Sequence, residues 1–406
     1  MHILYLNHYA GSPGMGMEFR PYYLAREWKK MGHQVTIVAG DYSHLRTENR
    51  ELNKDFERES IDGIRYCWVR TGRYEGNGIK RAFTMFRFVG KLWRNAQRIA
   101  DAMKPDVVIT SSTYPLDTYA GQRIAKKSGA KLIHEVHDMW PATLVELGGM
   151  KRTNPFVMLI QAAENSAYRK SDYVVSMLPC AKEYMIEHGM KEDKFVNIQN
   201  GIVLEEWEHG EKIPEEHERL LKALKNNGKF IVGYFGGHAL SNALDSLLDT
   251  AKYIGIREVV FVLVGNGVEK HRLMKRAEEE HIENVYFLDT VPKTCIKDLT
   301  VYFDCSYIAV RNSSLYRFGA SLNKMYDSMM AGTPIICVAN IAGCLIEEYL
   351  CGIVVKSGKR EDICQAIEDL YHMPQKERDR MGEKGRDAVR KHFNYQVLAE
   401  RFETLF

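Results

Sequence analysis

The sequence predicts an α/β protein made of two facing, doubly wound parallel-sheet domains of the Rossmann-like kind. Three observations carry that prediction. The chain has 406 residues, more than one ordinary hydrophobic core accommodates. Short apolar runs alternate along it with spans of helical spacing, the β-α-β pattern of a parallel sheet. Several of those runs end in glycine-bearing segments, at the carboxyl ends of strands where open α/β sheets bind ligands.

His2–Asn7 and Val35–Ala39 read as the first two strands. Between them, Arg20–Met31 carries Tyr23, Leu24, Trp28 and Met31 at helical spacing, and Gly32 ends it. The joining loop, His8–Glu18, holds Gly11, Gly14 and Gly16. Such glycines let backbone amides approach an anion, so Gly14 and Gly16 are candidate phosphate-binding positions; a plain surface loop is the other reading. A dinucleotide site would use Asp41 after the second strand, but the spacing is G-x-x-G-x-G rather than G-x-G-x-x-G. Residues 43–62 are strongly charged and read as an exposed excursion, after which Gly63–Val69 returns as a strand.

Ile79–Ala100 reads as one helix without an acidic residue. Arg87, Lys91, Arg94 and Arg98 form a basic face, Ala82, Met85, Val89, Leu92, Ala96 and Ile99 an apolar one, with Phe83, Phe86, Phe88 and Trp93 on the flanks. A basic amphipathic helix with boundary aromatics suits an anionic membrane surface, and Arg87, Lys91, Trp93 and Arg94 are the candidate contacts. A helix packed on its sheet with solvated arginines fits equally well.

Asp106–Ser111, Lys131–Glu135 and Tyr173–Met177 continue the sheet. His134-Glu135-Val136-His137-Asp138 lies at a strand end. A metal site is conceivable there, but neighbours on a strand point to opposite faces. His137 and Asp138 are the better candidates for hydrogen-bonding a substrate, with a satisfied core histidine as the alternative. Asn200-Gly201 closes this half.

Glu205–Asn227 suits a connector. Phe230–Tyr234 opens a second sheet and ends in Gly236-Gly237-His238; Val259–Val264 ends in Gly265-Asn266-Gly267. Val285–Leu288, Cys305–Ala309, Ile335–Val338 and Gly352–Val355 complete it, and Val355–Leu370 and Lys376–Leu405 read as helices. Within it, Arg317–Pro334 holds a small-residue loop (Gly319, Ala320, Ser321) that opens a helix. Uncapped amides and the helix dipole favour an anion there, beside Lys324, while Asp327 follows Asn323 by one turn. The expected domains are 1–204, 205–385 and a C-terminal helix, 386–406, returning to the first.

Apolar residues make up 45% and charged residues 27%, as in a soluble globular protein, and a net charge of +3 gives no case for nucleic acid. No apolar run reaches the 18 residues of a membrane span. Met1–Leu6 reads as a strand rather than a signal peptide. Eight cysteines without a C-x-x-C pair suggest reduced, buried thiols in a cytoplasmic protein, not zinc.

Taken in order, Gly11–Gly16, Val136-His137-Asp138, Asn200-Gly201-Ile202, Gly236-Gly237-His238, Val264–Gly267 and Phe318–Pro334 resemble a family 4 glycosyltransferase of GT-B architecture, over essentially the whole chain. Ser321-Leu322-Asn323-Lys324 and His137-Asp138-Met139-Trp140-Pro141 are most similar to a subgroup of bacterial O-antigen and capsule assembly that transfers fucosamine- or quinovosamine-type sugars. The resemblance implies a retaining, metal-independent hexosyltransferase that uses a nucleotide-sugar co-substrate, a UDP-sugar, and no other cofactor. Its acceptor would be polyprenyl-diphosphate-linked or another glycan, met at the inner membrane face.

On that resemblance His137, Asp138 and Lys324 are catalytic; Gly14, Gly16, Ser321, Asn323 and Lys324 hold the diphosphate. Asp327 stands for the second glutamate of the family's E-x7-E motif and holds the ribose, with Gly265, Asn266 and Gly267 beside the nucleoside. Arg317, Gly319, Ala320 and His238 face the donor sugar. The motif's first glutamate falls at Gly319, and the family's Arg/Lys pair is replaced by Gly237–Ser241. A nucleotide-sugar epimerase and a non-catalytic sugar-nucleotide-binding subunit are the competing readings.

Overall fold

A computed structural model describes residues 1–16, 19–76 and 78–406. The chain divides into two compact units, residues 1–199 with Tyr395–Phe406, and Asn200–Asn394. Both are parallel-sheet α/β domains, as the alternating pattern predicts.

The first unit has β1 (His2–Leu6), β2 (Gln34–Gly40), β3 (Glu57–Ile61), β4 (Ile64–Val69), β5 (Val107–Thr110), β6 (Lys131–Val136), β7 (Tyr173–Ser176) and β8 (Phe195–Asn197). Their order in the sheet is β3-β4-β2-β1-β5-β6-β7-β8. Only β3 is antiparallel to its neighbour. It lies inside the charged excursion of residues 43–62, where no strand was expected. Glu-Arg-Glu-Ser-Ile is an edge strand, so its charged side chains stay in water and no apolar run marks it.

Four helices of this unit matter below: α1 (Arg20–Lys30), α2 (Ile79–Arg94), α3 (Thr118–Ser128) and α4 (Pro155–Lys170). The single helix expected over Ile79–Ala100 is broken at Asn95, and a second one runs from Ala96 to Met103. The Asn95 amide bonds back to the Lys91 carbonyl at 2.9 Å, competing with the helix for its own backbone. Phe88, Leu92, Ala96 and Ile99 cover one sheet face, packing with Leu4, Leu6, Val38 and Val108.

The second unit has β9 (Phe230–Phe235), β10 (Val259–Val264), β11 (Val285–Leu288), β12 (Cys305–Ala309), β13 (Ile335–Val338) and β14 (Gly352–Val354), ordered β11-β10-β9-β12-β13-β14 and parallel throughout. Helix α5 (Asn323–Ala331) packs Met325, Met329 and Met330 against Ile308, Ile335 and Cys337. Helix α6 (Gln375–His392) lies across it, and the Arg386 guanidinium caps the α5 carbonyls of Met330 and Ala331 at 3.2 and 2.7 Å. The tail does not start a new helix at residue 386. It breaks at Phe393–Asn394, and α7 (Tyr395–Glu403) packs in the first unit, where Trp28 donates to the Ala399 carbonyl at 3.1 Å.

Helix α6 approaches α5 closely because Gly382 has no side chain: a Cβ there would sit 1.8 Å from the Gly332 carbonyl oxygen. In an ordinary helix Gly→Ala stabilises by up to about 1 kcal/mol. Here the clash reverses the sign, and Gly382→Ala is expected to destabilise by about 1–3 kcal/mol, read as a lower urea midpoint at unchanged m-value.

Candidate functional site

At the end of β6 successive side chains turn to opposite sides. His134 is buried and bonds Thr110 Oγ1 at 2.9 Å, and burial pushes it down to about 4, so it is a neutral core histidine. Glu135, fully buried, points the other way. Its Oε2 accepts from Tyr5 and Ser111 hydroxyls, each at 2.6 Å, and its Oε1 accepts from Arg20 at 2.9 Å. Burial alone would raise this carboxyl; the Arg20 guanidinium outweighs it and, with His137 and Ser111, holds Glu135 well below the usual range.

Arg20 stands in the first turn of α1, and its other nitrogens donate to the carbonyls of Gln199 and Ile198 at 2.7 and 2.9 Å. His137 lies above this cluster, its side chain one-tenth exposed, with Nε2 2.8 Å from Ser111 Oγ and 3.3 Å from Glu135 Oε2. Asp138 beside it is exposed. Asp117 accepts the Ser112 amide at 2.9 Å, and burial pushes it up to about 7. Among the described residues no group of three His, Cys, Asp or Glu side chains is placed to hold a metal ion.

The loop after β1 is a built turn. Pro13–Met15 form a 3-10 turn, Gly16 takes a φ of 86°, and it bridges to Arg46 while the Thr47 amide donates to Met15 at 2.9 Å. Gly16 therefore serves the turn and the close approach of Thr47, and Gly14 is exposed. Met17 and Glu18, at the end of the expected loop, lie outside the described residues.

On helix α2 two members of the expected basic face have partners within the unit. Arg87 donates to the Thr71 carbonyl at 3.1 Å, and Lys91 binds Asp55 at 2.8 Å and the Arg70 carbonyl at 2.7 Å. Arg123 of α3 lies 3.7 Å over the Trp93 ring, and Arg87 and Arg94 are exposed. Of the expected apolar face Met85 and Leu92 are buried, joined by Thr84 and Phe88, while Ile79, Phe83, Trp93 and Phe86 remain exposed at 78, 58, 45 and 41%.

In the second unit, Lys324 is in the first turn of α5, whose N-cap, Leu322, offers no side-chain acceptor. Its ammonium donates to Asn242 and lies 5.1 Å from the centre of the Tyr234 ring. Both belong to β9 or the loop after it, and both also donate to the Gly237 carbonyl at 2.7 Å. Burial pushes Lys324 down to about 8. Asn323 is exposed beside it. Asp327, one turn on, is buried and lines a small recess with Trp207, Lys293, Thr294 and Lys297. Burial raises its carboxyl, and Lys293 pulls it the other way.

Ser321 is engaged within the unit, and His238 is enclosed with neither ring nitrogen hydrogen-bonded among the described residues. Ser321 Oγ accepts the Asn200 amide at 2.8 Å and pairs with the Tyr326 hydroxyl at 2.8 Å. His238 has no exposed surface; its ring lies 5.8 Å from Tyr234 and 6.3 Å from Phe287, so in this conformation it offers nothing to a sugar. Gly265 and Gly267 serve close packing, since a Cβ on either would sit 2.0 Å from the Gly236 oxygen or 2.3 Å from the His238 oxygen; Asn266 between them is exposed.

Arg317 is exposed, stacked 4.2 Å over Phe318 and bonded to the Ser314 carbonyl at 2.7 Å, and Ala320 is buried. Gly319 has φ 89° and ψ −175°, a conformation open essentially to glycine alone. A glutamate does not fit that backbone without strain, which accounts physically for the missing carboxylate.

Sequence reasoning did not find Arg20, Glu135 with Ser111, Asn242 or Lys293 as a group. The one signal available was an arginine opening an otherwise apolar helix face together with a glutamate inside a buried strand.

Residues 15–206 match the family model described as Glycosyltransferase Family 4, and residues 216–388 the model described as Glycosyl transferases group 1. An uncharacterized glycosyltransferase of Methanocaldococcus jannaschii, MJ1069, is 21% identical over 308 residues, 74% of each chain. WcaI of Escherichia coli, described as a putative colanic acid biosynthesis glycosyl transferase, is 23% identical over 52% of each chain. The fold is also that of Anabaena HepE, solved in complex with UDP and glucose, at a TM-score of 0.67 and 15% identity over 99% of this chain and 98% of that one.

The depressed Lys324 value is directly measurable. With lysines reductively methylated by a 13C label, the Lys324 resonance should titrate near pH 8, against about 10.4 for an ordinary lysine. Lys324→Arg identifies the peak by its loss; a Lys324 resonance titrating with the bulk would contradict the burial described.

Proposed function

The chain is a glycosyltransferase of the GT-B type, its first half matching family 4 and its second half group 1, and we propose that it moves a hexose-type sugar from a UDP-linked donor with retention of anomeric configuration. The sugar is of the N-acetylated amino or deoxyamino kind, as fucosamine and quinovosamine are. The acceptor is a polyprenyl-diphosphate-linked or other glycan in the assembly of a bacterial O-antigen or capsule. WcaI, named for colanic acid biosynthesis, and HepE, solved with UDP and glucose, support this direction.

The observation that carries the proposal is the pairing of Lys324 with Asp327 on one helix. A cation and uncapped first-turn amides stand against the β9 loop, and a carboxylate lies one turn further on beside Lys293. A diphosphate fits the first position and ribose hydroxyls the second. As the C1–oxygen bond to the diphosphate breaks, Lys324 and the amides stabilise the departing charge. The acceptor hydroxyl attacks from the same face and its proton passes to the leaving phosphate. His137 hydrogen-bonds the donor sugar and Asp138 orients the acceptor. No D-x-D occurs in the sequence, and divalent metal is dispensable in this scheme.

For the acceptor side, the proposal moves the membrane contact from the basic face of α2 to its exposed stripe, Ile79, Phe83 and Phe86, flanked by Lys80 and Arg94. No helix among the described residues is long and apolar enough to cross a membrane. The protein would sit peripherally on the inner face.

Thermal-shift measurements test the donor site. UDP at about 100 times its Kd should stabilise by about 2.7 kcal/mol, and Lys324→Ala and Asp327→Ala should each abolish the shift. The binding form is the ammonium, so UDP affinity is full below about pH 7 and falls as pH rises through about 8, where the free Lys324 loses its proton. No shift with UDP or any other nucleotide would overturn the donor assignment. Epimerised free sugar from a UDP-sugar alone would favour the epimerase, and binding without turnover a non-catalytic subunit. In liposome sedimentation, Phe83→Ser/Phe86→Ser should release the protein from anionic vesicles while Lys91→Gln does not; retention of the double variant would sink the membrane proposal.

A further inference from the structure

The cluster behind His137 has one feature that the proposed reaction does not use. Glu135 is buried with no exposed surface, accepts two hydroxyls and a guanidinium, and lies within 3.3 Å of the His137 ring. The protons in this cluster can be counted. An ionised carboxylate only accepts, so the single Ser111 proton is spent on Glu135 Oε2 at 2.6 Å. Ser111 Oγ can then only accept from His137 Nε2 at 2.8 Å. The imidazole must carry its proton on Nε2, where it also meets Glu135, and in the neutral ring Nδ1 is the basic nitrogen.

We propose that Glu135, locked by Arg20, is a positioning residue for the glycosyl transfer: with Ser111 it fixes the His137 ring in its Nε2–H tautomer and in one orientation. The role in transfer rests on the proposed function of His137; the tautomer does not. The logic is that of an acid behind a functional histidine, which sets which ring nitrogen holds the proton and so which one works on the ligand.

Arg20 extends the arrangement. Its guanidinium binds Glu135 on one side and the carbonyls of Ile198 and Gln199 on the other, at the point where the chain leaves the first unit. With its donors divided in this way, Arg20 holds Glu135 ionised and immobile, and a lysine cannot reproduce that fork.

The test has a spectroscopic arm and a kinetic arm. Long-range 1H–15N correlation of the full chain, with His137→Gln to identify the resonance among 14 histidines, should show the Nε2–H form in wild type. Glu135→Gln should give a mixture of tautomers or the Nδ1–H form, because an amide can donate to the ring. Turnover in Glu135→Gln should fall about 10- to 100-fold in kcat, the range for losing a partner behind a ligating histidine, with donor KM within about twofold. Ser111→Ala removes one hydroxyl and carries the same test if Glu135→Gln does not fold.

A wild-type Nδ1–H ring, an unchanged tautomer in both variants, or a changed tautomer with unchanged kcat would each overturn the proposal. If wild type turns over no nucleotide sugar at all, the proposed function fails while the tautomer measurement still decides the role of Glu135.

Discussion

A single buried ion pair organises the first unit. Removing a carboxylate and a guanidinium from water costs several kcal/mol per ion, which is recovered only if every lone pair and proton finds a partner. The Arg20–Glu135 pair meets that condition by drawing in Tyr5 from β1, Ser111 from the end of β5, and the carbonyls of Ile198 and Gln199. Deleting either partner would strand a buried charge, at roughly 3–5 kcal/mol. Three strands, α1 and the exit of the chain are thereby fixed to one another, and His137 rests on the fixed point.

The second unit reaches the same end by close backbone approach. Gly265 and Gly267 let the loop after β10 press on the loop after β9, and Gly382 lets α6 press on α5. The β9 loop so held gives Lys324 its Asn242 and Tyr234 neighbours, and helix α5 so held aims Asp327 at its recess. Backbone geometry also limits chemistry. At Gly319 a φ of 89° with ψ −175° strains any residue with a side chain, so a carboxylate is disfavoured at that position. The burial that lowers Lys324 makes that one cation sensitive to pH.

Much of this was legible in the chain. Apolar runs located the parallel strands because a strand covered on both faces has to be apolar along its length, and glycines marked the loops at their ends. Exceptions have identifiable causes. Strand β3 was hidden because an edge strand keeps its charges in water. The helix break at Asn95 depends on a side chain bonding its own backbone, which composition does not reveal. For α2, helical spacing gave a basic face and an apolar face. The apolar face turned inward as expected, with Met85, Leu92, Ala96 and Ile99 buried, but spacing did not say that Arg87 and Lys91 would find carbonyls and Asp55 on the unit itself.

By itself the sequence determined the two-domain α/β class, the strand ends that carry glycine, and the residues Lys324, Asp327 and His137 as candidates. These follow from local rules of periodicity, capping and turn geometry, each acting over a few residues. Tertiary structure alone decided which polar groups were spent internally. Ser321, a plausible ligand on paper, is taken up by Asn200 and Tyr326, and His238 is enclosed in the core with neither ring nitrogen hydrogen-bonded among the described residues. It also joined Arg20 to Glu135 across 115 positions of chain. The desolvation cost that makes such a pair obligatory exists only once both groups are buried, and no local pattern encodes that.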